Sequence, residues 1–381
     1  MARSLVGAVL KPQAYHRGMG WHVTFVKGIT MDIAIGLDAT LNLSFADQAE
    51  ISKEAARLGY TSIWTPEGAG HDSFQLCSQR WAASCEVIPA GLTTGIGVSP
   101  VLYRTPVAFA MSGGTVSHLT GGRFIMGIGA GGAYRPRTRQ ALGLPKFSTL
   151  ALMRDYLVTV CTLVAGKAVD YQGEVVTLRG VKLAINPPPH TPVYLGALGP
   201  EMLRLGGELA DGICLNWCTP AQIVWSRERL AEGAARVDRD PKSVQVAEYI
   251  RVCVDQDVDV ARRAFARSTM GYALGQRVPT ERERQLGYRA HFERMGYTAA
   301  LAELDRMRQR GASPDEVADA FPPDLLQRVG YYGTPEGAAA AFRRLAEGLD
   351  VAIVRVVAAR PGTASVRAVL RACSPELVQR Q

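Results

Sequence analysis

The chain has 381 residues, of which 47% are hydrophobic and 20% are charged, and its 43 basic and 35 acidic residues give a formal charge of +8. This apolar content excludes a mainly disordered chain, because disordered chains lack the hydrophobic residues that offset the entropy of ordering. A membrane-spanning helix is also excluded, since the sequence contains no run of about 18 uncharged apolar residues.

Residues 1–30 carry four of the eight net positive charges. The segment contains Arg3, Lys11, Arg17 and Lys27 and no acidic residue. Its apolar run is shorter than a signal-peptide core, and no clear cleavage site follows it. We therefore expect a leader that is disordered or lies upstream of the native start, with the functional chain beginning near residue 31.

The remaining composition restricts partners and location. Nucleic acid is not expected as a partner, because no arginine-rich helix or base-stacking motif accompanies the basic charge. Seven cysteines are scattered without any C-x-x-C pair, which argues against a disulfide framework or a metal site. This cysteine usage fits a reducing cytoplasm.

Short apolar runs alternate with amphipathic segments from residue 31 onwards. Eight runs predict strands, at 32–37, 61–65, 92–98, 123–128, 193–196, 212–216, 246–254 and 351–357. Four of the intervening segments predict helices, at 46–58, 106–119, 200–210 and 335–348. The second of these begins at Pro106 with Thr105 as its N-cap, and Gly59 ends the first.

This alternation predicts an α/β protein with parallel strands joined by helices, and we expect a (β/α)₈ TIM barrel with insertions over residues 31–360. Residues 168–185 predict an inserted β-hairpin, and the arginine-rich residues 276–330 predict a helical insertion. Residues 361–381 are expected to form a C-terminal tail. A doubly wound open sheet is the competing fold, but no G-x-G-x-x-G follows the first strand.

In a barrel of this kind, the active site lies at the carboxyl ends of the strands. The residues after the first two strands that this rule selects are Asp38, Glu67 and His71. After the third, fourth and fifth strands it selects Gly97, Val98, Ser99, Gly129, Gly131, Gly132, Gly196, Ala197, Leu198 and Gly199.

Two titratable residues follow the second strand. Glu67 has two possible roles. In the functional one it accepts a hydrogen bond from a ligand or acts as an acid or base, and in the structural one it caps the next helix. His71 and Asp72 have the composition of a proton relay, although Asp72 is better placed to cap a helix beginning at Ser73. For Glu67 and His71, the sequence alone leaves the catalytic and the structural roles open.

Two glycine-containing turns, after the fourth and fifth predicted strands, suit the binding of a ligand by the backbone. Gly129, Gly131 and Gly132 follow one strand, and Gly196 and Gly199 follow the next barrel strand. Glycine lets the backbone approach a flat ring or a phosphate, and the helix that begins after Gly199 offers unpaired N–H groups to an anion. Together the two turns predict a phosphate-bearing cofactor.

Several stretches resemble the luciferase-like monooxygenase superfamily. They are the runs TGIGVSPVLYRTPVAFA at 94–110, LTGGRFIMGIGAGG at 119–132, PVYLGALGPEMLRLGGELADGI at 192–213 and GTPEG at 333–337. The resemblance covers about residues 31–360. Within the superfamily the chain is most similar to the branch that uses the 5-deazaflavin coenzyme F420, which includes methylenetetrahydromethanopterin reductase; members that use FMN share the same fold.

The resemblance implies that a cofactor ring lies at the carboxyl ends of the strands and that the enzyme is a homodimer acting on a small molecule. It implies a bulge in the third strand with a cis Gly97–Val98 peptide bond, which presses the backbone against the ring for hydride transfer at C5. The turn from Gly196 to Gly199 would contact the phosphate, and Glu67 matches the acidic residue that ends the second strand.

Two departures from the family bear on the reaction. Deazaflavin-dependent dehydrogenases usually place a histidine directly after that acidic residue, where this chain has Gly68, and some place a glutamate where this chain has Gly132. The expected reaction is therefore a reduction by the reduced deazaflavin, with His71 as the candidate proton donor, and not oxidation of an alcohol. The alternatives are an FMN-dependent monooxygenase and a non-catalytic cofactor-binding protein.

The arginines in and before the second insertion suggest two roles. They either form a solvated helical face or contact the anionic tail of the coenzyme. They are Arg262, Arg263, Arg267, Arg277, Arg282, Arg284, Arg289 and Arg294.

Overall fold

The computed structural model describes residues 31–185, 189–275, 277–285 and 287–380, so the predicted leader lies outside the described residues. Eleven strands are present in these ranges. They are β1 Asp32–Gly36, β2 Ser62–Thr65, β3 Thr93–Pro100, β4 Phe124–Gly129, β5 Val169–Gln172, β6 Thr177–Val181, β7 Val193–Gly196, β8 Gly212–Asn216, β9 Gln245–Val254, β10 Gly330–Gly333 and β11 Val351–Val356.

Eight of these strands close into a parallel barrel. The order around the barrel is β1, β2, β3, β4, β7, β8, β9 and β11, and β11 pairs with β1 to complete the ring. All eight predicted barrel strands are confirmed, with ends that differ by at most two residues from those predicted. The closed ring excludes the doubly wound open sheet that competed with it.

Sixteen α-helices follow or connect the strands in the described part of the chain, and the four that the sequence predicts are among them. They are α1 Phe45–Arg57, α2 Ser73–Ser84, α3 Pro106–Leu119, α4 Pro136–Ala141, α5 Thr149–Val164, α6 Pro200–Leu209, α7 Pro220–Ala235, α8 Val258–Ala273, α9 Glu281–Arg284, α10 Gly287–Phe292, α11 Thr298–Gln309, α12 Pro314–Asp319, α13 Pro323–Val329, α14 Pro335–Leu345, α15 Thr363–Ala372 and α16 Pro375–Gln379. No described helix has the length and apolar character needed to cross a membrane.

The barrel interior is filled by a small cluster of its own. Trp64, Tyr194, Tyr249 and Ile353 belong to this cluster, and each lies on a different strand. The positions of the large rings require glycine opposite them, since a Cβ on Gly95 would lie 2.4 Å from the Trp64 ring. The interior is therefore a packed core below the rim.

The predicted hairpin at 168–185 is confirmed by the antiparallel pair β5 and β6. It is anchored to α5 by the buried side chain of Asp155. This carboxylate accepts hydrogen bonds from the Tyr171 hydroxyl at 2.8 Å and from the N–H groups of Val175 and Val176 at 2.7 and 2.9 Å. A Cβ on Gly173 would lie 2.2 Å from the same carboxylate, so the turn packs directly on it.

Asp155→Ala is expected to lower the free energy of unfolding by about 2–3 kcal/mol, because the Tyr171 hydroxyl and two half-buried N–H groups lose their acceptor. Urea unfolding measures this loss, and limited proteolysis should detect new cleavage in the hairpin. Asp170→Ala removes an exposed hairpin carboxylate that pairs with Arg179, so it serves as the control with a loss below about 0.5 kcal/mol. Equal losses in the two variants would contradict the anchoring role.

The second insertion is mostly helical, as predicted, and it has a core of its own. Phe265, Phe292, Leu325 and Trp217 belong to this core, so the insertion packs on the residue that follows β8. One strand was not predicted: residue 330, the last of the predicted insertion, begins β10. β10 pairs with the end of β9, beyond the point where β8 stops.

The C-terminal segment is helical. α15 buries Val366, Val369 and Leu370, and the Tyr60 hydroxyl donates to the carbonyl oxygens of Leu370 and Cys373. This segment provides the helix that follows β11, the last strand of the barrel.

Candidate active site

The predicted site residues lie at the carboxyl-terminal rim of the barrel, as parallel strands require. One continuous group forms around the third strand. The Glu67 N–H donates to the Val98 carbonyl oxygen at 3.2 Å, and a Cβ on Gly129 or Gly196 would lie 2.5 or 3.1 Å from the Val98 side chain. A Cβ on Gly131 would lie 2.3 Å from Pro100. The structure therefore brings the glycines of β4 and β7 against the third strand.

The third strand has the bulge that the resemblance implies. The Gly97–Val98 peptide bond is cis, and the register between β3 and β4 shifts between Ile96 and Ser99. A Cβ on Gly97 would lie 3.0 Å from the hydroxyl of Tyr249, which fills the barrel below it. The bulge thus rests on the aromatic layer of the interior.

Glu67 is held by four donors. Its two carboxylate oxygens accept from the Arg104 guanidinium at 2.5 and 2.6 Å, and the Ser99 hydroxyl and the Ser73 N–H also donate to it. The same guanidinium bonds Asp72 at 2.5 Å. Hydrogen bonding to Glu67 raises the pKa of Arg104 above its ordinary value. The arrangement connects β2, β3 and α2 through the Glu67 side chain.

Asp72 is the N-cap of α2, as predicted, because its carboxylate accepts from the N–H groups of Phe74 and Gln75. Glu67 also reaches the N-terminus of this helix through Ser73, so it both binds Arg104 and caps the helix. His71 lies beside this group on the exposed rim, and its ring contacts Phe45 at a centroid distance of 4.9 Å.

Asp38 follows β1, which lies between β2 and β11 in the barrel, and its side chain turns to β11 and not to this group. Its side chain caps a short 3₁₀ turn at Thr40 and pairs with Arg355 of β11. Arg355 is buried, and burial lowers its pKa to about 9, which leaves it charged at neutral pH. The structure therefore makes Asp38 the counter-ion of a buried arginine.

The turn after β7 leaves space for a ligand. Gly196, Ala197, Leu198 and Gly199 form it, and a Cβ on Gly199 would meet nothing within 4 Å. Gly199 is the N-cap of α6 and supplies no side chain to the helix N–H groups. The guanidinium of Arg294, from the insertion, donates to the Leu198 carbonyl oxygen at 3.3 Å. Open backbone donors beside a cation fit a phosphate group.

Among the predicted arginines, Arg294 lies at this turn, and the side chain of Arg282 lies outside the described residues. Arg262, Arg263 and Arg267 pair with acidic side chains of α12 at the surface of the insertion, and Arg289 pairs with Asp305 inside it. For these four arginines the solvated or structural role applies. Gly132 lies farther from the bulge, where its Cβ would approach the Thr138 side chain at 3.4 Å.

Two residues at the rim were not predicted as functional. Arg104 organises Glu67, and Arg251 lies buried near the mouth of the barrel, bonded to Asn216 at 2.6 Å and stacked on Trp217 at 3.5 Å. Trp217 has a left-handed backbone with φ of 61°, a conformation that bulky residues rarely adopt. The sequence contained one signal for Arg251, since it is a charged residue within a largely apolar strand.

A second unpredicted group lies beside Arg251, on the side of the insertion. The Glu248 carboxylate accepts from the Cys218 N–H at 2.6 Å, and its other oxygen is buried without a partner among the described residues. Burial raises the pKa of Glu248 to about 8. His291 is also buried, which lowers its pKa to about 4, and its Nε2 lies 2.8 Å from the Trp217 carbonyl oxygen.

The raised pKa of Glu248 makes the stability of the protein depend on pH. The folded protein holds a proton on Glu248 that the unfolded chain has lost, so stability falls as pH rises from about 4.5 to about 8. Glu248→Gln removes this effect. We expect the variant to match the wild type near pH 5 and to gain up to about 1.4 kcal/mol of relative stability per pH unit across the window. Urea unfolding across this pH range measures it, and a constant difference between the two proteins would contradict the assignment.

The chain is similar to a known family and to solved structures. The family model described as luciferase-like monooxygenase matches residues 28–351. A 5,10-methylenetetrahydromethanopterin reductase from Archaeoglobus fulgidus is 31% identical over 242 residues, covering 62% of this chain and 71% of that protein. The Methanolobus tindarius protein of the same name is 26% identical over 313 residues, with coverages of 82% and 90%.

Solved structures agree on the fold. The coenzyme F420-dependent tetrahydromethanopterin reductase from Methanopyrus kandleri superposes with a TM-score of 0.69 at 19% identity, covering 89% of this chain and 97% of that chain. The oxygenating component of 3,6-diketocamphane monooxygenase from Pseudomonas putida, solved with FMN, gives a TM-score of 0.62 at 14% identity, with coverages of 92% and 99%. The same barrel therefore occurs in proteins with either cofactor.

Proposed function

Because the chain belongs to the luciferase-like monooxygenase family and is an oxidoreductase, we propose that it binds coenzyme F420 and reduces an organic substrate. The observation that carries the choice of cofactor is the similarity to a putative coenzyme F420-dependent oxidoreductase from Mycobacterium tuberculosis, which is 28% identical over 297 residues. The two reductases at 31% and 26% identity support the choice of a reduction. When bound, the reduced deazaflavin supplies a hydride from C5.

The residues present fit this coenzyme. The bulge at Gly97 and Val98 offers backbone where the face of a ring would lie, and Gly129 of β4 makes room for the Val98 side chain beside it. The open turn from Gly196 to Gly199, with the N-terminus of α6 and Arg294, would hold the phosphate. In this proposal Ser99 and Glu67 position the bulge, since Glu67 bonds to both the Ser99 side chain and the Val98 backbone.

We assign the two predicted catalytic residues different tasks. Glu67 accepts four hydrogen bonds from its neighbours, so it holds the site in shape and keeps negative charge beside it. His71, on the exposed rim, donates the proton that accompanies the hydride. The absence of side chains at Gly68 and Gly132 supports reduction of a C=C or C=N bond over oxidation of an alcohol.

A titration tests the cofactor. The purified full-length protein is titrated with F420 and, separately, with FMN, following the fluorescence of each. We expect F420 to bind at least about tenfold more tightly than FMN, a difference of about 1.4 kcal/mol. Tighter binding of FMN, together with oxygen consumption by the reduced complex, would instead establish the monooxygenase, the alternative that the FMN-bound structure of the same fold favours.

Turnover separates an enzyme from a cofactor-binding protein. Anaerobic oxidation of reduced F420 by a panel of compounds with C=C or C=N bonds should give turnover. His71→Ala should lower this turnover and leave the affinity for F420 unchanged. Equal turnover in the variant would remove His71 from the reaction. Binding of F420 without turnover on any compound of the panel would favour the non-catalytic alternative.

We also propose that the chain acts as a cytoplasmic homodimer. α3 presents Met111, Thr115 and Leu119 on one exposed face, and the two apolar side chains are 55% and 54% exposed. Residues four apart lie one turn apart on the same face of a helix, so the two exposed apolar side chains lie on either side of Thr115 on one face. Light scattering of the purified protein measures its mass, and a monomer would contradict the proposal.

A further inference from the structure

Two buried arginines lie at one level of the barrel interior. Arg251 of β9 is paired in register with Arg355 of β11, and Arg355 is paired with Gly36 of β1. The two side chains belong to residues that are 2% and 3% exposed. Arg355 lies 4.9 Å above the ring of Tyr249, which belongs to the interior cluster. Because residues in register on parallel strands point the same way, both side chains point into the mouth of the barrel.

The charges of this pair are not balanced. Asp38 pairs with Arg355. Arg251 contacts the amide oxygen of Asn216 and the ring of Trp217, but within the described ranges no carboxylate lies within 4.0 Å of it. Like charges at paired positions destabilise a sheet, and a buried cation without a counter-ion is costly to fold. One positive charge is therefore available to a ligand.

Glu248, three residues earlier on the same strand, does not supply the missing charge. Adjacent faces of a strand alternate, so Glu248 lies on the opposite face from Arg251, where it accepts from the Cys218 N–H. Its raised pKa of about 8 keeps it mostly protonated at neutral pH.

The aromatic neighbours of Arg251 indicate the shape of the ligand. The Tyr272 ring lies 4.9 Å from its guanidinium, and the Tyr288 hydroxyl accepts from the Asn216 amide at 2.7 Å. The two tyrosine rings are 4.8 Å apart and nearly perpendicular. Aromatic rings beside a cation suit a planar or unsaturated ligand that bears an anionic group.

The position separates this group from the expected coenzyme surface. β9 and β11 lie opposite β3 and β4 in the barrel, and β3 and β4 carry the bulge and the glycines. β8 lies between β9 and the turn that follows β7. We propose that Arg251, with Asn216 and Arg355, binds an anionic oxygen group of the substrate, a carboxylate or a phosphate, on the side of the mouth that faces the coenzyme. The inference rests on the proposed function, since it names the substrate class of that site.

Inorganic phosphate and acetate serve as probes of the two anion types. Phosphorus NMR line broadening measures phosphate binding to the full-length protein, and the thermal shift at constant ionic strength compares phosphate with acetate. We expect wild-type binding in the millimolar range and at least about a tenfold loss in Arg251→Gln. Arg263→Gln removes a surface arginine that pairs with Asp319 and should change nothing. The probe that gives the larger wild-type shift identifies the anion.

A second variant keeps the packing intact. Asn216→Asp places a carboxylate of the same shape against Arg251, which supplies the missing counter-ion within the protein. It should abolish phosphate binding as Arg251→Gln does, while raising the melting temperature. Phosphate binding that survives in both variants would overturn the subsite.

The test also separates this inference from the proposed function. If F420 displaces the phosphate that depends on Arg251, the group belongs to the coenzyme and the substrate assignment is wrong. If the wild type fails to bind F420 but still binds phosphate through Arg251, the proposed function fails and the anion site stands. F420 affinity within about twofold of wild type in Arg251→Gln supports both.

Discussion

Arg104→Met is expected to lower the free energy of unfolding by about 3–5 kcal/mol, the largest loss that we predict for a single substitution. The Glu67 side chain is 3% exposed and has both oxygens bonded to the Arg104 guanidinium. Methionine keeps the packing of the side-chain stem against the Phe74 and Phe109 rings but removes the charge. A buried carboxylate without its counter-ion is the main source of the loss.

The partner variant identifies the cause. Glu67→Gln in the Arg104→Met background replaces the unpaired Glu67 carboxylate with a neutral amide. The double variant should therefore be more stable than Arg104→Met alone. Urea unfolding of the two single variants and the double variant gives the coupling energy between the residues. Additive losses would show that Arg104 acts through packing and not through Glu67.

Gly199→Asp should weaken F420 binding by about 100-fold while the protein stays folded. The backbone of Gly199 is extended, with φ of −94° and ψ of 154°, and a Cβ there meets nothing within 4 Å. Aspartate is a somewhat better N-cap than glycine, so the stability of α6 should hold or rise by about a few tenths of a kcal/mol. The new carboxylate would occupy the helix N–H groups and repel the phosphate, an interaction of a few kcal/mol at about 4 Å.

Gly199→Ala is the matched control, because it adds the same Cβ without the charge. It should keep F420 affinity within about threefold of wild type. Fluorescence titration gives both affinities, and thermal unfolding confirms that the variants are folded. Undiminished binding by Gly199→Asp would show that the phosphate lies elsewhere.

The barrel could be predicted from the sequence because its signals are local. Short apolar runs, helix caps such as Thr105 and glycine at Gly59 are each set by residues close together in the chain, and the structure has them where they were predicted. β10 was missed because Gly330–Gly333 is short and contains two glycines, so its pairing with β9 depends on a neighbour and not on its own pattern.

The rim could be located from the sequence, but the partners of its residues could not. Glu67 and Asp72 are close in the chain, whereas Arg104, which binds both, follows the next strand. Arg355 meets Asp38 from the other end of the chain, because the barrel closes only when β11 pairs with β1. Ion pairs between distant segments leave no periodic pattern.

The barrel, its insertions and the rim with the predicted site residues follow from the sequence, because local patterns predict the parallel strands and the connections between them. The pairing of charges depends on the tertiary structure. Arg251 and Arg355 each look like a charged residue in a largely apolar strand, and only the register of β9 with β11 makes them neighbours. Whether a buried charge is satisfied or left for a ligand depends on distances between strands, which no single strand encodes.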